Sequence, residues 1–190
     1  MSQNTGIAQR LAHHCIDDDT RAVLGEAQEF LIALLPEVME AFYARFSAMP
    51  EVASHFRDGD HLTHAKVRQF EHWKKVLSGR FDEAYLESAR INGETHHRIN
   101  LKIELYIGAY SHLLTLLLSG TATKFMPGLF RPGAARKRLA LQEAVMRAAM
   151  FDMDLVISVY LEAERRDRRN MLDQLSRELN GTVGLIASSL

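Results

Sequence analysis

The sequence predicts an all-α protein, and three observations support this expectation. Four prolines and eleven glycines occur in 190 residues, which favours long helices over many short strands. Apolar residues recur at three- and four-residue spacing, as on one face of a helix. No segment sustains the apolar–polar alternation of a strand, and no repeat of solenoid length occurs. We therefore expect about seven or eight helices, placed to within a few residues.

The first third of the chain predicts three helix boundaries. Asp17–Thr20 is a helix start, because carboxylates are favoured at a helix N-terminus. A long apolar row follows and contains Pro36, and proline is best tolerated in the first turn of a helix. We therefore expect two helices that meet near Leu35, the second of which ends at about Ser47. Met49–Pro50 predicts the next break.

The middle of the chain predicts three further helices. Leu62–Leu77 forms one that Ser78–Gly79 closes, since glycine adopts the conformation that ends many helices. A second runs from Asp82 to about His97. A third covers Leu105–Leu118, and we expect Ser119–Gly120 to end it.

The last third predicts a loop and one very long helix. Thr121–Gly133 contains two prolines and two glycines, so we expect the main loop there. Nothing breaks the helical pattern from Ala134 to about Asn180. Leu172, Leu179 and Ile186 lie seven residues apart after a charged run, which predicts a coiled-coil connector.

Composition and charge exclude several classes of function. The net charge of −1, from 23 basic and 24 acidic residues, argues against nucleic acid as an obligate partner. Cys15 is the only cysteine, so neither an internal disulfide nor a CxxC site is possible. The N-terminus lacks a signal sequence, and the longest apolar runs, Phe30–Leu35 and Leu113–Leu118, are too short to cross a bilayer. We expect a cytoplasmic protein without a membrane span.

Two adjacent histidines near the end of one predicted helix are the strongest candidates for chemistry. A haem iron needs a neutral imidazole that a helix presents among apolar walls. His96 shares a helix face with Tyr85 and Ala89, whereas His97 shares one with Arg90. The first face is the better candidate for the interior, so His96 is the favoured ligand and His97 is expected to face solvent. A partly buried histidine bound to a backbone carbonyl is the alternative.

The segment around these histidines resembles the globin-coupled sensors, bacterial proteins with a haem-binding globin module before a signalling output. Their segment runs roughly His-x-Arg-Ile-Gly-Leu, then an aromatic pair, then Gly-(Gly/Ala)-Tyr. Thr95–Leu101 and Tyr106–Tyr110 match it. Asn100 replaces the usual glycine, and Ile103 and Leu105 replace the usual proline and tryptophan.

The resemblance covers about residues 20–165 and implies a globin fold with haem b (iron protoporphyrin IX) on His96. It implies a sensor globin domain over residues 1–165, with residues 1–19 as an N-terminal extension. Residues 166–190 would then be a helical linker into a truncated signalling region. No enzymatic activity is expected of the chain itself.

The resemblance also implies the residues around the haem. Tyr43, in Ala41–Tyr43, matches a distal tyrosine whose hydroxyl would donate a hydrogen bond to O₂, and much less to CO. Its alternative role is a core aromatic with a surface hydroxyl. Tyr106 would lie on the proximal side, where its hydroxyl can reach the His96 ring. The expected wall residues are Phe42, Ala65 and Leu101.

Other histidines leave alternatives open. His64 or His72 could act as a second, distal iron ligand, but we expect neither to do so, because Tyr43 already fills the distal role. We expect His72 beside Trp73 to pack structurally. His61 and His64 near Asp58 or Asp60 suggest a zinc or iron site. No HExxH motif and no paired ExxH motifs support that alternative.

The resulting hypothesis is a haem-based sensor of O₂, and of CO or NO, in an aerotaxis transducer. A homodimer through the last two globin helices is implied, with a C-terminal signalling domain in the full-length protein. We expect Gly108–Ala109 to permit close helix approach, and two apolar rows to form the dimer interface. These rows are Tyr110, Leu113 and Leu117, and Val145, Ala149, Met153, Val156 and Tyr160.

Three alternatives remain. The first is a different output, because a diguanylate cyclase or a histidine kinase would fit the same sensor. A haem-free regulatory or dimerisation module of globin shape would lack the proximal histidine, so His96 argues against it. An O₂ carrier or dioxygenase is disfavoured by the long helical extension.

Overall fold

The structure is a computed structural model that describes residues 2–56, 58–126 and 133–188. These residues form eight α-helices and no strand, which confirms the all-α expectation. The helices are α1 Ser2–His13, α2 Asp18–Glu26, α3 Gln28–Phe46, α4 Pro50–Ala53, α5 Gly59–Val76, α6 Glu83–Arg98, α7 Ile103–Lys124 and α8 Ala134–Ser188. In this part of the chain, no helix combines the length and apolar character that crossing a membrane requires.

Aspartate caps begin three of the helices. Asp17 accepts a hydrogen bond from the Thr20 backbone N–H at 2.8 Å, and Asp82 accepts one from Tyr85 at 3.0 Å. Asp58 caps α5 in the same way through the His61 N–H at 2.7 Å. Each carboxylate satisfies a backbone donor that the helix leaves unpaired and lies at the favourable end of the helix dipole.

The N-terminal half of α8 is the centre of the fold. It packs against α2, α6 and α7, while α3 packs against α7 and α5. Burial on α8 extends to Ala163, and residues 165–183 are exposed. The predicted domain boundary at residue 165 therefore falls within one continuous helix and stays a prediction.

Two predicted helix ends are wrong. Pro36 lies on the exposed face inside α3, with buried Leu34 and Leu35 before it and buried Val38 and Met39 after it, so packing holds the helix through the proline. The break in this region is at Ala27, between α2 and α3. Gly120 likewise lies inside α7, where a Cβ would stand 2.6 Å from Leu34 Cδ2. Its role is close contact with α3 rather than helix termination.

The glycine expected to permit close helix approach is the wrong one. Gly108 is exposed, and a Cβ built on it meets nothing within 4 Å. Gly93 on α6 has this role instead, since its Cβ would lie 2.7 Å from Val159 Cβ and 2.8 Å from the Val156 carbonyl oxygen. Two helices were also missed, α1 within the expected N-terminal extension and the short α4.

Most of the expected dimer interface is internal core. Six of its residues are buried within this chain: Tyr110, Leu113, Leu117, Val145, Ala149 and Val156. They cannot face a second copy while α7 and α8 keep this packing. The exposed large apolar residues on α7 and on α8 before Ala163 are Ile107, Leu139, Met146 and Met150.

Candidate functional site

A cavity of about 260 Å³ lies among α3, α5, α6 and α7. Every residue that the sequence analysis predicted for the haem site lines this cavity. These are Phe42, Tyr43, Ala65, His96, Leu101 and Tyr106. Phe46, Val52, Phe56 and Leu113 add apolar wall, so the cavity suits a hydrophobic group.

His96 reaches the cavity from the last turn of α6. Tyr85 and Ala89, on the same helix face, are 0% and 2% exposed, so this face points into the protein as its spacing predicts. The Nδ1 atom of His96 is buried and has no hydrogen-bond partner among the described residues. Burial lowers the pKa of His96 to about 4, helped by the nearby imidazole of His72. The ring is therefore neutral at neutral pH, the form that ligates iron.

A ladder of aromatic rings supports His96. The ring centroids of His96 and Tyr106 are 5.0 Å apart, and those of Tyr106 and Tyr110 are 5.6 Å apart. No hydrogen bond joins Tyr106 to His96, so in this structure Tyr106 positions the imidazole by packing alone. Tyr110 is anchored at the other end, where its hydroxyl donates to the Ala149 carbonyl at 2.7 Å.

A buried polar cluster surrounds Asp152 at the cavity wall. Asp152, on α8, is 1% exposed, and Tyr85 donates to it at 3.1 Å, while the Tyr110 hydroxyl oxygen, whose proton goes to Ala149, lies 3.2 Å from it. His72 Nε2 lies 3.0 Å from the same carboxylate, and its Nδ1 is 2.9 Å from Ser88 Oγ. Burial, reinforced by the Asp152 charge, raises the pKa of Tyr85, so this hydroxyl remains a donor. His72 is thus held structurally, in agreement with the packing role expected for it.

Tyr43 is fixed in the cavity by contacts on several sides. Its ring lies edge-on to Phe42 at 5.1 Å and to Phe56 at 6.4 Å, and Lys66 Nζ is 5.6 Å from the ring centroid. The hydroxyl points inward and donates to Gln69 Oε1 at 2.6 Å. Burial raises the pKa of Tyr43, so the phenol keeps its proton.

His97 points away from the cavity but does not simply face solvent. Its Nε2 lies 2.8 Å from Asp167 Oδ2, and its ring meets Tyr160 edge-on at 5.3 Å. Both partners belong to α8. The two neighbouring histidines therefore separate cleanly, one on the cavity wall and the other on the α6–α8 contact.

Basic side chains also line the cavity. They include Arg68 and Arg98, neither of which forms an ion pair with a carboxylate in the described part of the chain. His61 and His64 line it too, yet the described residues contain no group of three His, Cys, Asp or Glu side chains arranged to hold a metal ion. The zinc-type alternative has no support in this geometry.

Sequence reasoning missed Gln69 and Asp152 as site residues. Asp152 carried a usable signal, because a single carboxylate between Phe151 and Met153 on an otherwise apolar helix face implies a buried partner. Gln69 carried none, since a glutamine on an amphipathic helix is usually a surface residue.

Comparisons with known proteins agree with this architecture. A sequence model of the Protoglobin family matches residues 3–166. The heme-based aerotactic transducer HemAT of Halobacterium salinarum is 22% identical over 187 residues, which cover 97% of this chain but only 38% of that protein. The globin domain of a Geobacter sulfurreducens globin-coupled sensor superposes with a TM-score of 0.70 at 20% identity, covering 80% of this chain and 96% of that one. The globin fold and the resemblance to globin-coupled sensors are thus confirmed, and the chain belongs to the protoglobin family.

Proposed function

We propose that this chain is the sensor part of a globin-coupled transducer, that it binds haem b through His96, and that it responds to O₂ or another diatomic gas such as CO or NO. The observation that carries this proposal is the neutral imidazole of His96 on the cavity wall, whose buried Nδ1 atom has no hydrogen-bond partner among the described residues. A buried polar group without a partner destabilises a fold, so such a group is expected where a ligand completes it.

The other residues of the cavity fit the same group. Phe42, Ala65 and Leu101 offer apolar wall to a porphyrin. Within the described residues, Arg68 and Arg98 have no carboxylate partner, so they are available to the porphyrin carboxylates. When bound, haem supplies an iron atom that takes up diatomic gases.

Tyr43 gives the site a means of telling gases apart. Its hydroxyl is buried, keeps its proton and is bonded to Gln69, another residue of the cavity wall, so it is a candidate hydrogen-bond donor for a polar diatomic ligand. O₂ in such a site draws electron density and accepts a hydrogen bond well, whereas CO accepts one poorly. We therefore propose that Tyr43 favours O₂ over CO.

We propose that the signal leaves through α8 and that the chain binds a gas rather than catalysing a reaction. The HemAT relative is named as an aerotactic transducer, so aerotaxis is the first choice of output, with a diguanylate cyclase or histidine kinase as the alternative. Ile107, Leu139, Met146 and Met150 offer an exposed apolar face on α7 and α8 for a homodimer. The exposed row Leu172, Leu175, Leu179 and Val183 would continue the pairing into a coiled coil.

The test is an absorption spectrum of the purified, haem-reconstituted protein in the ferric, ferrous, O₂ and CO states. We expect a Soret band that moves with each ligand. His96→Ala should abolish stable haem binding, while the matched variant His97→Ala should retain it. Tyr43→Phe should speed O₂ release much more than CO release. A chain that takes up no haem would instead be a haem-free regulatory module, and equal effects on both gases would remove the role of Tyr43.

A further inference from the structure

We propose that Gln69 sets the oxygen selectivity of the site by competing with O₂ for the hydroxyl proton of Tyr43. The carbonyl oxygen of the Gln69 side chain accepts the Tyr43 hydroxyl at 2.6 Å, and both side chains line the same cavity. The inference rests on the proposed function, because it assigns a positioning residue to the same gas site.

The Tyr43 ring cannot move aside to serve two partners. Phe42 and Phe56 meet it edge-on, and Lys66 lies over its face while pairing with Glu40 at 3.1 Å. Tyr43 is itself only 6% exposed. What remains free is rotation about the bond that carries the hydroxyl.

A phenol carries one proton and donates one hydrogen bond. While that proton is held by Gln69, it is not available to a gas in the cavity. O₂ must therefore displace Gln69 to gain the hydrogen bond, whereas CO gains little from the bond and leaves it in place. The bond to Gln69 thus weakens O₂ binding without affecting CO binding to the same degree.

Among the described residues, the side chain of Gln69 makes no second hydrogen bond that would give it a different role. Its side chain is partly buried, and the Tyr43 bond is the only hydrogen bond that it makes within the described residues. Its amide nitrogen makes no hydrogen bond to another described residue. The acceptor atom alone is engaged, and its one donor is the residue proposed to sense the gas.

Two substitutions at Gln69 should act in opposite directions. Gln69→Leu removes the competing acceptor, so the O₂ affinity should rise about two- to tenfold, the range expected for one net hydrogen bond. Gln69→Glu supplies a charged and stronger acceptor, so the O₂ affinity should fall by about tenfold or more. The CO affinity should change less than about twofold in both variants.

The experiment measures O₂ and CO equilibrium affinities of the haem-reconstituted full chain for both variants, alone and combined with Tyr43→Phe. In the Tyr43→Phe background both Gln69 effects should vanish, because the shared proton is gone. A second readout needs no haem: NMR of the haem-free protein with ¹³Cζ-labelled tyrosine should show the Tyr43 resonance move in Gln69→Leu, with Tyr106 as the internal reference.

Several outcomes would overturn the inference. These are an O₂ affinity that is unchanged or lower in Gln69→Leu, equal changes for O₂ and CO, or Gln69 effects that persist without the Tyr43 hydroxyl. A wild-type chain that takes up no haem would refute the proposed function and this inference together. A wild type that binds O₂ normally while the variants fail the pattern would refute the inference alone.

Discussion

Adding one methyl group to Gly93 is the most direct test of how α6 meets α8. The built Cβ lies 2.7 Å from Val159 Cβ and 2.8 Å from the Val156 carbonyl oxygen, and the latter is backbone that cannot rotate away. Alanine in a helix interior is worth about 1 kcal/mol over glycine, and overpacking a core costs about 1–3 kcal/mol. Because both Cβ contacts are much shorter than van der Waals contact, we take the upper part of this range for the overpacking cost. We expect Gly93→Ala to lose about 1–2 kcal/mol of unfolding free energy.

Gly108→Ala is the matched control, since Gly108 also lies inside a helix but a Cβ there meets nothing within 4 Å. It should gain about 1 kcal/mol from helix propensity alone. The assay is urea unfolding of the haem-free protein, followed by far-UV circular dichroism at one fixed protein concentration. If Gly93→Ala proves as stable as Gly108→Ala, the tight α6–α8 contact does not exist in solution.

Two further predictions concern the core and the assembly. Asp152→Ala should lower the unfolding free energy by roughly 2–4 kcal/mol in the same urea assay, because buried Tyr85 loses its acceptor and His72 loses its charged partner. The control Asp154→Ala, at a side chain that is 40% exposed, should lower it by less than about 1 kcal/mol. If the chain forms the proposed homodimer, Met150→Glu should shift it to a monomer in light scattering, whereas Val67→Glu on α5 should leave the mass unchanged. A dimer that survives Met150→Glu would place the interface elsewhere.

The helix starts and the helix face of His96 could be predicted because they depend only on residues close in sequence. Asp17 and Asp82 begin helices because a carboxylate bonds to a free backbone N–H three residues on, which neighbouring residues alone decide. The phase of His96 followed from Tyr85 and Ala89 for the same reason. These features could be predicted without knowledge of the tertiary structure.

The errors came from residues whose role depends on a distant partner. Pro36 and Gly120 resemble helix breakers by composition, yet tertiary packing of α3 on α7 keeps both helices intact. Gly93 gave no local sign of its contact with α8, and Gly108 gave a misleading one. Tyr110 was assigned to a dimer surface because periodicity shows that a face is apolar but not which neighbour covers it.

The contact between α6 and α8 would convert a small tilt of α8 into a larger displacement at the C-terminal end of that helix. Gly93 and His97 lie on either side of His96 in sequence, and both contact α8. Gly93 packs against Val159, and His97 pairs with Asp167. Beyond Asp167, α8 continues to Ser188 as an arm of about 32 Å at about 1.5 Å per residue. A tilt of about 5° at the base of this arm moves its tip by about 3 Å, given that length. A tilt too small to disturb the core at the α6–α8 contact thus moves the end of α8 by a distance comparable to the width of a side chain.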